Sequence, residues 1–330
     1  MKKGFLIVAH GSRKGDANQQ VIELVEKLSN YFQSTMFQPA FMELASPTIE
    51  DGINALAKKN MDQLIAYPYF LFKGMHFSKD IPDLIQAIVD KLDKRIPFKM
   101  LEPIGRHPNI SALVQEELYD EVTDQLTYKK MAPEKIEDKS MELIEKSLNG
   151  YEIPPEQKPI IKRVIHATGD FDFLKNMIFH DEAVSSGLKA IKEKKTIYTD
   201  VTMVQSGINK KFGHDVRCVL NDPEVMKLAN DKKITRTAAG IKLLADKLDG
   251  NIIAIGNAPT ALITLVDMVK ENSLRPALIV GIPVGFVNAK ESKSYLTTIK
   301  DAPYITNRGQ KGGSAIAAAI VNALIKMAFG

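Results

Sequence analysis

Two hydrophobic periods alternate along the chain. Residues 4–9 form an unbroken apolar run, as expected for a parallel strand buried on both faces. Residues 16–32 then place Val21, Leu24, Val25 and Leu28 at helical spacing. A second strand is predicted over 36–43, and a helix after it with Ser46 as N-cap and Pro47 at its first position. A third strand over 63–70 precedes a helix over 78–92. A short strand over 98–102 and a helix over 109–122 follow. This alternation predicts a small doubly wound α/β domain.

The texture changes at residues 123–160. Lys129, Lys130, Glu134, Lys135, Glu137, Asp138 and Lys139 make a charged stretch, and Pro154-Pro155 breaks the start of the next helix. Two readings are open, a solvated linker or an amphipathic first helix of a second domain. Ile136, Met141, Leu143, Ile144 and Leu148 supply enough apolar surface for docking, which places the boundary near 124: one domain over 1–124, another over 125–330. Strand-like runs recur at 195–199, 216–219, 251–255, 277–281 and 303–306. Helical patterns separate them, notably at 235–248, 259–270 and 314–327. The fold class expected is α/β, with two doubly wound parallel-sheet domains. No internal repeat relates them, so fusion is expected rather than duplication.

Composition narrows the function classes. The 330 residues are 45% hydrophobic and 25% charged, as in ordinary globular proteins. A net charge of +4, with no basic stripe interleaved with aromatics, argues against nucleic acid as partner but suits a polyanionic small molecule. The one cysteine, Cys218, excludes an internal disulfide and any multi-cysteine metal site, which points to a reducing cytoplasm. No signal-peptide core and no run of 18 apolar residues occurs, so no membrane segment is expected.

Three of the six histidines sit where elements meet glycine-bearing turns. His10 directly follows the first strand, in Ile7-Val8-Ala9-His10-Gly11-Ser12, and His76 lies six residues beyond the third. Ligands of open parallel sheets bind beyond the carboxyl ends of strands, so both imidazoles can reach one crevice. Two imidazoles suit a borderline divalent metal, and either could take a proton from a pyrrole NH. The competing reading is a pair of hydrogen-bonded loop residues.

His10-Gly11-Ser12-Arg13, Glu43 with Ser46-Pro47-Thr48-Ile49, and Phe70-Leu71-x-x-Gly74-x-His76-x-x-x-Asp80-Ile81-Pro82 together resemble the small class II chelatases. These are the sirohydrochlorin cobaltochelatases, with nickel chelatases as close relatives. The resemblance covers about residues 1–122, through Pro103-Ile104-Gly105-x-His107-Pro108. It implies that His10 and His76 bind the metal being delivered and that His10 accepts a proton. It also implies that the loop of Leu71, Phe72, Lys73, Gly74 and Met75 borders a tetrapyrrole. Family members often carry an acid where this chain has Ser46, which leaves Glu43 as the nearest candidate for that role.

His166 follows Ile160, Ile161, Val164 and Ile165 and precedes Gly169, so it should close a helix, whose C-terminus favours the imidazolium form. A capping or core histidine is the plainer alternative. Four further blocks surround it in sequence: Thr235-Arg236-Thr237-Ala238-Ala239, Ile255-Gly256-Asn257-Ala258-Pro259, Gly281-Ile282-Pro283-Val284-Gly285-Phe286-Val287 with Lys290 and Lys293, and Arg308-Gly309-x-x-Gly312-Gly313-Ser314. The Gly256–Ala258 amides are candidates to hold a carboxylate at a helix N-terminus. No dinucleotide or Walker fingerprint occurs.

Over about residues 128–330 these blocks are similar to precorrin-8X and cobalt-precorrin-8 methylmutases. The resemblance implies a flavodoxin-like domain and a methyl migration between adjacent ring carbons, with His166 as the acid protonating a ring nitrogen. Ser140 and Arg163 fall at the family's substrate-contact positions. Arg236, Asn257, Lys290 and Arg308 are added as weaker substrate-binding candidates. The expectation is a bifunctional cobalamin-biosynthesis enzyme acting on sirohydrochlorin and cobalt-precorrin-8. Co²⁺ is its substrate metal, no cofactor is tightly bound, and the chain self-associates. Nickel or iron as the delivered metal, or a non-catalytic corrinoid or metal carrier, are the alternatives.

Overall fold

The computed structural model of the chain describes residues 2–32, 35–72, 74, 79–92, 94–107, 110–122, 132–271 and 274–330. The chain divides into two compact units, Met1–Leu126 and Thr127–Gly330.

The first unit contains β1 (Lys3–Ala9), α1 (Gly15–Tyr31), β2 (Met36–Phe41), α2 (Ile49–Lys58), β3 (Gln63–Pro68), α3 (Ile81–Val89), β4 (Phe98–Met100) and α4 (Ile110–Val122). Its sheet has the order β2-β1-β3-β4 and is parallel throughout. Alternate residues of β1 enter opposite layers. Leu6 and Val8 join the core that contains Ile49, Ile53 and Leu56 of α2, whereas Ile7 and Ala9 meet Val21 and Val25 of α1. Burial on both faces explains why residues 4–9 read as an apolar run rather than an alternation.

Helix α2 corrects the expected cap. Its N-cap is Thr48, not Ser46, and Pro47 lies outside the helix. The Thr48 hydroxyl accepts from Asp51 N–H at 3.2 Å, and Asp51 accepts from Thr48 N–H at 2.9 Å, a reciprocal capping box. Pro47 instead uses its carbonyl to accept from Phe41 N–H at 2.8 Å, which ends β2 two residues earlier than the sequence pattern predicts.

The second unit begins with α5 (Pro133–Ser147), α6 (Lys158–Thr168), α7 (Phe173–Asn176), β5 (Met177–Phe179), α8 (Ala183–Lys192), β6 (Ile197–Thr199) and α9 (Thr202–Gly207). It continues with β7 (Val216–Arg217), α10 (Pro223–Lys232), α11 (Arg236–Leu243), α12 (Ala245–Leu248), β8 (Ile252–Ile255) and α13 (Pro259–Lys270). The last elements are β9 (Leu278–Gly281), α14 (Ala289–Leu296), β10 (Tyr304–Asn307) and α15 (Ser314–Phe329). The sheet order is β5-β10-β9-β8-β6-β7, parallel except for β5, which runs antiparallel to β10. Its five parallel strands follow the flavodoxin order 2-1-3-4-5, and the first unit's sheet shows the first four places of that order.

Residues 252, 254, 278 and 280 enter one core layer with α6, α8, α9 and α15; residues 253, 255 and 279 enter the other with α11, α13 and α14. Helix α15 is the nearly all-apolar pillar of the first layer, buried from Ile316 to Ile325 apart from Asn322. Of the two readings for 123–160, the amphipathic helix is the one observed: α5 packs on α6 through Ile144 and Leu148. Each such aliphatic side chain contributes roughly 1.5–3 kcal/mol on full burial. The pattern at 235–248 forms two helices, with Leu244 at the break and both Leu244 and Leu248 buried. Strand β5 was not predicted, because three residues are too few to display a period.

Candidate functional sites

In the first unit the carboxyl ends of β1, β2 and β3 are laced together. Met42 N–H donates to Ala9 O at 3.0 Å, Glu43 N–H to His10 O at 3.1 Å, and Tyr69 N–H to Val8 O at 2.7 Å. These bonds place His10 at the crevice between β1 and β3, where the strand order reverses. The His10 side chain is exposed, and its ring lies 4.4 Å from that of buried Phe70, tilted by 40°. Gly11 has φ +88°, and a Cβ there would come within 2.0 Å of Glu43 O, so only glycine fits. Asn18 at the start of α1 clasps the following loop, accepting from Ser12 N–H at 2.8 Å and donating to Ser12 O at 2.7 Å.

Glu43 and Ser46 are both exposed on the loop that straps His10. Leu71 and Phe72 are exposed too, Phe72 by 78%. The backbone of Leu71 rests on Gly105, where a Cβ would meet Leu71 O at 1.5 Å. This contact, which no local pattern signals, joins the Leu71 loop to the turn after β4. Gly74 is exposed; Lys73, Met75 and His76 lie outside the described residues. Among the described residues no three His, Cys, Asp or Glu side chains gather as a metal site.

In the second unit His166 occupies the last turn of α6, half-buried, with its Nδ1 2.9 Å from Ser140 Oγ on α5. Gly169 closes the helix at φ +66°, donating to Ile165 O. Arg163, one turn earlier, donates from its guanidinium to Glu137 at 2.9 Å. The turn after His166 is clamped: Lys311 donates to Asp170 at 2.6 Å and to Asp172. Sequence reasoning passed over Lys311, because no local pattern marks partners 141 and 139 positions away.

The loops after β9 and β10 are fitted to each other, since a Cβ on Gly312 would meet Ile282 O at 2.4 Å and Gly285 N–H donates to Gln310 O at 3.2 Å. They present Val284, Phe286 and Val287 to solvent, the last two exposed by 89% and 77%. Exposed Arg308 lies in the loop after β10, and half-buried Lys290 opens α14 just beyond the loop after β9. Lys293, a weaker substrate-binding candidate in sequence with a solvated or structural charge as the alternative, is structural. Its side chain is 1% exposed and donates to Asn307 Oδ1 at 3.1 Å and Lys311 O at 2.5 Å, and burial lowers its pKa to about 8.

The Gly256–Ala258 turn corrects another expectation. Its amides do not await a substrate carboxylate, because buried Asp200 accepts from all three, Gly256 at 3.1 Å and Asn257 and Ala258 at 2.8 Å. Desolvation pushes the Asp200 carboxyl above its usual range, opposed by those three amide bonds. Asn257 keeps only an exposed side chain for any ligand. Thr235 caps α11, accepting from Ala238 N–H at 3.2 Å, and bonds Thr260 Oγ1 at 2.7 Å. The space lined by Asp200 and Arg236 is about 10 Å³, too small for more than a water, and Arg236 is exposed.

Comparison with known proteins now separates the units by family. The model of the precorrin-8X methylmutase family, CbiC, matches residues 135–327. The chain belongs to the precorrin-8X methylmutase family. Residues 4–121 match the CbiX model, so the chain is a CbiX domain followed by a methylmutase domain of cobalamin biosynthesis. The cobalt-precorrin-8 methylmutase of Priestia megaterium is 42% identical over 196 residues, covering 58% of this chain and 87% of the relative. The precorrin-8X methylmutase of Sinorhizobium sp is 39% identical over 175 residues, 52% of this chain and 83% of that one. The solved precorrin-8x methyl mutase of Thermus thermophilus is 38% identical with a TM-score of 0.55, covering 58% of this chain and 95% of its own. No described helix is long and apolar enough to cross a membrane.

Proposed function

We propose that the methylmutase unit rearranges cobalt-precorrin-8 to cobyrinate, with His166 as the acid, and that the CbiX unit inserts Co²⁺ into sirohydrochlorin. The observation carrying the first half is the 2.9 Å Ser140–His166 pair in the last turn of α6. Ser140 Oγ accepts from Nδ1–H of the imidazolium, leaving the Nε2 proton for a ring nitrogen of the substrate. The helix C-terminus stabilises that cation. Protonation draws electrons from the ring and promotes the methyl shift; the proton then returns to His166, so the rearrangement consumes no oxidant or reductant. The exposed Phe286 and Val287 supply an apolar surface for a flat macrocycle, and Arg163, Lys290 and Arg308 supply charge for its carboxylates.

In the CbiX unit, exposed His10 at the strand-order reversal supports metal delivery, with His76 as its partner in this reading. One ion enters the macrocycle as two pyrrole protons leave, one accepted by His10 and the other by water. Exposed Leu71 and Phe72 offer an apolar edge to the ring, with Glu43 beside His10 as the acid. The reading includes self-association and a cytoplasmic setting; light scattering that gives a strict monomer removes the former.

Relatives named for cobalt-precorrin-8 and for precorrin-8X match at similar identity, so the metal is the point to test. Sirohydrochlorin absorbance followed with Co²⁺, Ni²⁺ and Fe²⁺ in competition should give fastest insertion of cobalt. A faster nickel or iron rate reassigns the metal. Equal rates with and without protein leave the CbiX unit a carrier. His166→Ala should bind the corrinoid and fail to convert it; full conversion would remove the acid from His166.

A further inference from the structure

The methylmutase unit holds a cavity of about 740 Å³ that extends beyond Arg163, the residue assigned above to the substrate's carboxylates. It lies among α5, α6 and α15. Lys162 and Arg163 of α6 line it, and His166 lies on the same stripe of that helix one turn on. Lys158, Lys211 and Lys326 complete a set of five basic side chains, while Met141 and Phe212 give it apolar wall. The lining carboxylate side chains are Glu137 and Glu145, and both are already engaged. Glu145 accepts from Lys158 and, at 2.8 Å, from Lys162; Glu137 accepts from Arg163 at 2.9 Å and Lys326 at 3.4 Å. Burial pushes the Glu137 carboxyl up, but the charges of Arg163 and Lys326 outweigh it and hold it below the usual range. Lys158, Lys162, Arg163 and Lys326 are thus paired with carboxylates of the chain itself.

We propose that Glu137 occupies Arg163 until an acidic side chain of the corrinoid replaces it, and that the other basic side chains of the cavity extend that contact. The inference rests on the assignment of the Ser140–His166 pair to methyl migration. Exchange of one carboxylate for another spares Arg163 an unpaired state in the cavity. The Glu137–Arg163 pair is partly exposed, so it is weak enough to be exchanged. Glu137 is therefore an internal competitor that sets substrate affinity, since binding is reduced by the fraction of chains in which it holds the arginine.

Steady-state kinetics of the full chain test this, with E137Q, K211M and, as a charge control on exposed helix surface, K189M. E137Q should lower KM about threefold to fivefold with kcat within about twofold, the range of a partly exposed ion pair. K211M should raise KM about threefold or more, K189M should leave it unchanged, and the K211M effect should shrink at high salt. The Kd of the corrinoid on His166→Ala chains carrying E137Q should fall in step with KM. An unmoved or raised KM in E137Q, or a K211M value equal to that of K189M, overturns the proposal. If His166→Ala alone abolishes conversion while these values stay put, only the exchange fails; if His166→Ala converts normally, the parent reading fails with it.

Discussion

The two sheets share the strand order 2-1-3-4 around the same reversal point, yet they use that point in opposite ways. In the CbiX unit exposed His10 stands at the reversal between β1 and β3, on a backbone strapped by Glu43. In the methylmutase unit the equivalent crevice between β6 and β8 is filled by Asp200, whose carboxylate is consumed by three amides at the start of α13. There the candidate acid has moved off the sheet, to the end of α6, and is oriented by Ser140 from α5. Topology supplies a crevice; side chains decide whether it is a site or a joint.

The largest effect expected from this contrast is a double dissociation. His10→Ala should slow metal insertion at least about 100-fold without changing methyl migration, and His166→Ala should do the reverse. Loss of both activities in either variant would mean the two units are not chemically separate. Next in size is Asp200→Ala. Stripping a buried acceptor from three amides should destabilise the methylmutase unit by on the order of 3 kcal/mol. Peptide-resolved hydrogen exchange should place the loss around residues 200 and 256–262 and leave the CbiX unit protected as before. If Asp200→Ala unfolds no more easily than the parent chain, the carboxylate is not a structural joint.

Gly11→Ala comes third. The forced left-handed backbone and the overlap with Glu43 O should cost about 1–2 kcal/mol locally and slow metal insertion about tenfold. An unaffected insertion rate would show that the strap does not position His10. The smallest effect at neutral pH concerns Lys293, whose pKa of about 8 lies below the 10.5 of an ordinary lysine. Between those values the unfolded chain holds a proton that the native chain lacks, so this group makes stability rise with pH across about 8 to 10.5. The rise should be absent from K293M in denaturant titrations at pH 7.5 and 10; an identical rise in both proteins would assign it to other groups.

Much of the architecture was legible from local pattern. Strands buried on both faces announce themselves as apolar runs, so β1, β8 and β9 fell within a residue or so of prediction, and α13 matched its predicted limits. His166 was placed at a helix end by Gly169, which the left-handed backbone there requires. Patterns that depend on partners were misread. Ser46-Pro47 has the composition of a helix start, but Thr48 and Asp51 make the reciprocal bonds. Gly256-Asn257-Ala258 has the composition of an anion site, but its anion comes from Asp200, more than 50 residues away.

The same division holds for the chemistry. The chain's local order suffices to put imidazoles after β1 and at the end of α6, because hydrophobic period and glycine position act over a few residues. That Arg163 is held by Glu137, Lys293 is buried under the loop after β10, and Lys311 clamps the turn behind His166 depends on pairings across 14 to more than 140 positions. Such pairings leave no periodic trace, since a charged side chain looks the same in sequence whether water or a distant partner receives it. Folding alone selects between the two.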